Sequence, residues 1–105
     1  MLTLKYCKDF ILALDEKRFY DAHEVLEELW FPIRFVESNE VKLLKGFINA
    51  AVSFELLKKG RQKAAKKAWL NYLKYRQLLF KISSSEVQFY YKISQHIEKI
   101  NKSYV

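Results

Sequence analysis

The fold is decided by residues 38–60, which read SNEVKLLKGFINAAVSFELLKKG. Ser38 or Asn39 can cap a helix, and Glu40 stands in its first turn, where the helix dipole favours an anion. The centre of the stretch is nearly uncharged and carries small residues at helical spacing, namely Gly46, Asn49, Ala50 and Ser53. Small residues let a neighbouring helix approach closely. We expect a helix that ends before Gly60 and is the most buried element of the fold.

Apolar spacing predicts four further helices, over residues 3–16, 19–30 and 62–82 and after residue 86. Pro32 disfavours helical geometry at Phe31, so the second helix should stop there and a loop should continue to about Ser38. Three serines at 83–85 should separate the last two helices. With two glycines and one proline in 105 residues, the sequence predicts an all-α fold. The short connections favour a single antiparallel bundle of about five helices, forming one domain over residues 1–105.

Composition limits the compartment and the partners. Cys7 is the single cysteine, so a disulfide within the chain is excluded, and its apolar neighbours predict that it is packed in the core of a cytoplasmic protein. The longest uncharged stretch, residues 46–54, is too short to span a bilayer, so no membrane association is expected. The net charge of +7 is uneven, because residues 1–52 carry −2 and residues 53–105 carry +9. Lysine supplies fifteen of the nineteen basic residues, which weakens an inference of binding from charge alone.

The most unusual segment is the second predicted helix, FYDAHEVLEELW at residues 19–30. His23, Glu27 and Trp30 stand at i, i+4 and i+7, which places them on one flank of the helix, where they can touch. The segment resembles the bacterial and archaeal family called domain of unknown function 309, whose pattern is roughly aromatic-x-x-Ala-His-Glu-x-x-Glu-x-x-Trp. The resemblance covers about residues 14–65 and includes Glu40, Gly46-Phe47-Ile48, Ala51-Val52, Gly60 and Ala64-Ala65. It implies a compact helical fold and a cytoplasmic protein with no established activity.

The chain also departs from the pattern of this family. Lys17 stands where the family usually has Gly, and Val41 and Arg61 replace Arg and Asn. In the third helix, Lys45 and Asn49 replace two glutamines, and Leu56 replaces a histidine. If the family uses a polar pocket built from both helices, the candidate residues here are His23, Glu24, Glu27, Trp30 and Asn49. The departures leave open whether an ancestral activity is altered or lost.

Three interpretations of these residues compete. A metal site is weakly supported, because His23 and Glu27 match neither a zincin nor a di-iron motif, so neither a metal nor a cofactor is predicted. An acid–base enzyme centred on the same two residues lacks a specified nucleophile. The third interpretation is structural: His23 is satisfied by Glu27, and Trp30 helps to lock the second helix onto the third. This interpretation accounts for the residues with the fewest assumptions.

A basic stripe on the fourth helix and an excess of aromatic residues suggest partners. Lys63, Lys67, Lys74 and Lys81 could follow a phosphate backbone without reading sequence, although lysine stripes commonly serve only to solvate a helix. Opposite charges on the second and fourth helices are compatible with a homodimer, and equally with contacts inside one bundle. The sequence therefore predicts a cytosolic binding or accessory module, with no catalysis assigned. A small enzyme or metal-binding protein and a non-specific nucleic-acid-binding protein are the alternatives.

Overall fold

The computed structural model describes residues 2–104 and contains, within that range, five α-helices and no strand. The α-helices are α1 Leu4–Asp15, α2 Phe19–Trp30, α3 Asn39–Lys58, α4 Gln62–Arg76 and α5 Val87–Lys102. Short 3₁₀ helices follow α2 at Phe31–Ile33 and α4 at Gln77–Phe80. The predicted all-α bundle of about five helices is confirmed.

The α3 helix is the most buried element, as the sequence predicts. Ten of its 20 residues are buried, including Gly46, Ala50 and Ser53 among the small ones. Ser38 caps the helix, because its Oγ accepts hydrogen bonds from the backbone N–H groups of Glu40 and Val41 at 3.1 and 3.4 Å. Gly46 is the point of closest approach to α4, where a Cβ would lie 2.8 Å from the Cβ of Tyr75.

Two helix ends have the same hydrogen-bond pattern and turn the chain back on itself. After α3, the N–H groups of Gly60 and Arg61 donate to the carbonyls of Leu57 and Leu56, and Gly60 has a φ of +75°. After α1, the N–H of Lys17 donates to Leu14, and Lys17 has a φ of +58°. Both ends are Schellman motifs, in which a left-handed residue lets the last carbonyls of the helix find donors.

The helices form two layers. In the front layer α3 lies between α2 and α4, and in the back layer α1 packs against α5, which also contacts α3. Successive helices run in opposite directions: Trp30 of α2 lies near Lys45 of α3, whereas His23 lies near Leu56. The helices α1 and α5 run in the same direction, since Cys7 contacts Phe89 and Asp15 faces His96. The buried side chains of both layers form one cluster.

Buried polar bonds tie α5 to the front layer. The hydroxyl groups of Tyr72 in α4 and Ser94 in α5 lie 3.2 Å apart, and both residues are buried. Tyr90 of α5 donates a hydrogen bond to the carboxylate of Glu40 at the start of α3. These bonds join residues 22 and 50 positions apart in the sequence, and local patterns do not predict them.

The α2 helix ends at Trp30 as predicted, but not for the predicted reason, and the predicted end of the fourth helix is wrong. Phe31 keeps helical angles, φ −57° and ψ −45°, so Pro32 does not force it out of the helix. The chain tightens instead into a 3₁₀ helix with the proline near its start, where the missing N–H costs no helical bond. The fourth helix does not continue as an α-helix to residue 82, because its last part narrows into the 3₁₀ helix that begins at Gln77.

Candidate functional site

His23 and Glu27 are in contact on the flank of α2. The imidazole Nε2 lies 2.5 Å from a carboxylate oxygen of Glu27, and the two side chains are 23% and 42% exposed. Their i, i+4 spacing on a regular helix brings the groups together without help from another element. The ring of Tyr20 lies 5.8 Å from that of His23, tilted by 55°. Both side chains are therefore partly exposed to solvent, and His23 lies on the side of α2 that borders α3.

A small depression separates this pair from α3. Its lining consists of Phe19, Tyr20, His23, Val52, Glu55, Leu56 and Lys59. The volume is about 190 Å³, below the roughly 300–1,000 Å³ typical of small-molecule sites. The floor is apolar, and at the rim Lys59 pairs with Glu55 at 3.6 Å. The depression is therefore smaller than a site that encloses a typical metabolite.

Trp30, Lys45 and Asn49 lie at the other end of the groove between α2 and α3. The ammonium of Lys45 lies 5.3 Å from the centre of the Trp30 ring, a cation–π contact between the two helices. The side-chain amide of Asn49 donates to the carbonyl of Lys45 at 2.9 Å, so this amide is engaged within its own helix. Both residues stand where the resembling family carries glutamine.

Glu24 lies away from this groove. It is exposed and lines a second shallow depression with Val25, Glu27, Glu28 and Phe31, of about 420 Å³. The five residues predicted to form one polar pocket are therefore distributed along the outer side of α2 and α3, and only His23 and Glu27 touch each other directly. Sequence reasoning did not find Tyr20 and Glu55 beside His23, although Tyr20 could have been inferred from its position one turn before the histidine.

The lysines of the predicted basic stripe are all exposed. Lys63, Lys67 and Lys74 lie on α4, and none forms an ion pair with a carboxylate in the described range 2–104. Lys74 reaches over the ring of Tyr75, with its ammonium 5.5 Å from the ring centre. Lys81 follows the 3₁₀ helix, so it does not continue the α-helical stripe. Three lysines, rather than four, share one regular helix.

The remaining metal-ligating side chains lie apart. Between residues 2 and 104, no three His, Cys, Asp or Glu side chains form a group that could hold a metal ion. The second histidine, His96, faces Asp15 in the back layer at 3.4 Å. Cys7 is 1% exposed, as predicted, and burial raises the pKa of its thiol. His23 and Glu27 thus offer two donors, and Glu55, which lines the same depression as His23, does not complete a group of three with them.

These features define a small two-layer helical protein with an open polar groove on its front layer. The family model described as Domain of unknown function (DUF309) matches residues 7–68, and the chain belongs to this family. This confirms the resemblance carried by the His23 segment. No curated protein and no solved structure shows significant similarity to the chain. None of the helices described here combines the length and apolar character needed to cross a membrane.

Proposed function

We propose that the protein is a cytosolic binding or accessory module, and that the residues of its motif hold α2 against α3 rather than carry out a reaction. The observation that carries this proposal is the engagement of the polar groups with one another: His23 contacts Glu27, the Asn49 amide bonds to the carbonyl of Lys45, and the Lys45 ammonium lies over the Trp30 ring and so joins α3 to α2. The depression beside His23 is too small to enclose a typical metabolite. The free, buried Cys7 fits a reducing compartment.

The test is the effect of removing the pair on stability. We expect His23→Ala to lower the free energy of unfolding by about 1–3 kcal/mol, because the substitution removes packing and leaves Glu27 without its partner. Glu24→Gln is the matched control, since Glu24 is exposed on the same helix, and it should change little. Urea denaturation followed by circular dichroism measures both variants. If His23→Ala unfolds like the wild type, the pair does not hold α2, and the proposal is wrong.

The competing enzyme or metal interpretation makes a different prediction. A metal bound by His23 and Glu27 would stabilise the folded state, by about 2.7 kcal/mol at a hundredfold excess over Kd. A thermal-shift panel with divalent metals should therefore leave the Tm unchanged if our proposal holds. A rise with one metal that disappears in His23→Ala would replace the binding module with a metal protein.

A second candidate function is non-specific nucleic-acid binding by α4. The observation that favours it is that Lys63, Lys67 and Lys74 are exposed and have no carboxylate partner in the described chain. Binding of this kind should weaken steeply between about 50 and 200 mM salt, since phosphate contacts release counterions. Fluorescence anisotropy with labelled DNA and RNA measures it, with Lys67→Glu as the test variant. Lys5→Glu on α1 is the matched control. Absence of binding at the lower salt concentration would exclude this candidate.

A further inference from the structure

The outer surface of α2, α3 and α4 forms one open face, which we call the front face. The exposed edge of α3 runs along its middle, with one residue for each turn of the helix: Lys42, Lys45, Asn49, Val52 and Leu56. Tyr20 lies on the side of α2 that borders this edge, and Glu24 and Glu27 lie further out on the exposed surface of the same helix. The back of the layer packs against α5, and α2 packs against α1, so no helix of the described chain covers the front face.

The two borders of the front face have opposite charge. On the α2 side, Glu24 is exposed and the Glu27 side chain is 42% exposed. On the α4 side, Lys67 and Lys74 lie in line because they are seven residues, or two helical turns, apart, and the Lys74 ammonium lies 5.5 Å from the centre of the Tyr75 ring. Because α3 stands between the two borders, neither Lys67 nor Lys74 pairs with these glutamates in the described structure. The complementary charges within one chain are thus not neutralised by each other.

The centre of the front face is partly apolar. Val52 and Leu56 are half-buried on α3, and Tyr20 beside them is 58% exposed. Across α3, the half-buried ring of Tyr75 packs over Gly46. The apolar part of the centre is therefore the end at Val52 and Leu56, between the two charged borders, while Lys42 and Lys45 are exposed at the other end of the α3 edge.

We propose that the front face binds the front face of a second copy of this chain, around a two-fold axis parallel to α3. Such an axis places α3 against α3 and puts α2 of each copy over α4 of the other. Glu24 and Glu27 then face Lys67 and Lys74 of the second copy, twice in each dimer. The arrangement is closed, since each copy uses the same surface. The partner of the proposed binding module is thus a second copy of the same chain.

The register of the helices agrees with this pairing. The Tyr20 and His23 end of α2 lies beside Val52 and Leu56. On the other side of α3, Ser53 and Leu57 lie beside Ala65 and Trp69. Glu24 and Lys67 therefore lie at similar heights on opposite borders. Rotation about an axis parallel to α3 keeps the height of every residue, so these two side chains meet across the dimer.

The broadest face of the molecule is comparable in area to the surface that each partner buries in a stable dimer. The molecule measures 36 × 24 × 23 Å, so its broad face covers at most about 860 Å² in projection. Stable interfaces bury about 800 Å² on each partner. A nucleic acid would use only the basic border and leave both the acidic border and the apolar centre uncovered. A second copy covers all three.

The first measurement is the mass in solution. Size-exclusion chromatography with light scattering, at about 0.1 mM protein and about 0.1 M salt, should give about 25 kDa, twice the 12.6 kDa of one chain. Raising the salt concentration should shift the protein towards the monomer, because the border contacts are charged. A monomer under the first condition, or an assembly that grows with concentration beyond two copies, would overturn the proposal.

Charge exchange tests which borders meet. Glu24→Lys alone and Lys67→Glu alone should each weaken the dimer by roughly tenfold or more, because two attractive contacts become repulsive. An equimolar mixture of the two variants should again dimerise, since both contacts of the mixed dimer pair opposite charges. Asp9→Lys and Lys5→Glu on α1 are the matched controls and should leave the wild-type dimer unchanged. If the mixture remains monomeric, or if the controls dissociate equally, these borders do not meet.

A failure of the dimer proposal can be distinguished from a failure of the proposed function. The variants at Glu24 and Lys67 leave the contact between His23 and Glu27 intact, so their folding stability should match the wild type. If they fail to change the dimer, the interface is wrong while the role of the pair is untouched. If Lys67→Glu weakens nucleic-acid binding instead and the chain stays monomeric, the basic border serves the second candidate function.

Discussion

Gly46→Ala is the sharpest test of how α3 supports the front layer. Gly46 lies where α3 and α4 are closest, and a Cβ at this position would be 2.8 Å from the Cβ of Tyr75. Ordinary contacts of a Cβ are 3.4–4 Å, so the two helices would have to separate by more than half an ångström. The Tyr75 Cβ is fixed to the backbone of α4, and no change of rotamer can move it away.

Two effects of this substitution oppose each other. Alanine is favoured over glycine within a helix by up to about 1 kcal/mol. Inserting a methyl group into a packed contact costs about 1–3 kcal/mol, since cores are dense and yield little. Because the two Cβ atoms would be only 2.8 Å apart, we expect a cost at the upper end of that range. We therefore expect a net loss of about 1–2 kcal/mol and a Tm lower by roughly 5–10 °C.

Urea denaturation followed by circular dichroism measures the change, with the slope of the transition as a check that the same surface unfolds. Gln95→Ala on α5 is the control, because Gln95 is exposed in the middle of a helix and gains propensity without a new contact. It should raise stability by a few tenths of a kcal/mol. If Gly46→Ala is also more stable than the wild type, helix propensity dominates, and α3 and α4 are not in the close contact described here.

Three further predictions concern buried groups. Ser94→Ala should lower the free energy of unfolding by about 1–2 kcal/mol, because the Tyr72 hydroxyl loses its buried partner. Burial raises the pKa of Tyr72 from 10.0 to about 12 and also raises that of Tyr90. At these two tyrosines the unfolded chain ionises first, so their contribution to stability should be fully present below pH 10 and decrease above it, for Tyr72 between pH 10 and about 12. Tyr72→Phe should therefore reduce the decrease in a pH series of unfolding curves. Cys7 should react with a thiol reagent only as fast as the chain opens, whereas rapid labelling of the native protein would show that the thiol is exposed.

Local sequence patterns predict the parts of this fold that depend on neighbours in the chain. The bounds of α2 and the Ser38 cap of α3 follow from side chains within a few residues, and the structure has both where they are expected. The burial of α3 follows from its run of small and apolar residues. The end of α4 was not predicted, because the sequence continues with helix-forming residues and the tightening into a 3₁₀ helix is a small change in backbone angles.

In the candidate site, too, local spacing predicts some contacts and leaves others undecided. The contact between His23 and Glu27 follows from their spacing on one helix. The amide of Asn49 could have turned either towards α2 or along α3, and spacing does not decide between them; the structure has it bonded along α3. Glu40 was expected to favour the start of α3 through the helix dipole, and it also accepts the hydroxyl of Tyr90, 50 residues away. Contacts of this range depend on how the layers stack, which no short segment encodes.

The turn between α1 and α2 has a backbone conformation that glycine usually adopts, but a different residue occupies it. Lys17 holds a left-handed φ of +58° at a position where the resembling family usually has glycine. Its carbonyl accepts a hydrogen bond from the Lys58 ammonium at 3.3 Å, and Arg18 donates to Ala13 at 2.8 Å. These bonds retain the hairpin although lysine is strained there. A sharp reversal of the chain can therefore form without glycine at its left-handed position, and Lys17→Gly offers a route to a more stable protein.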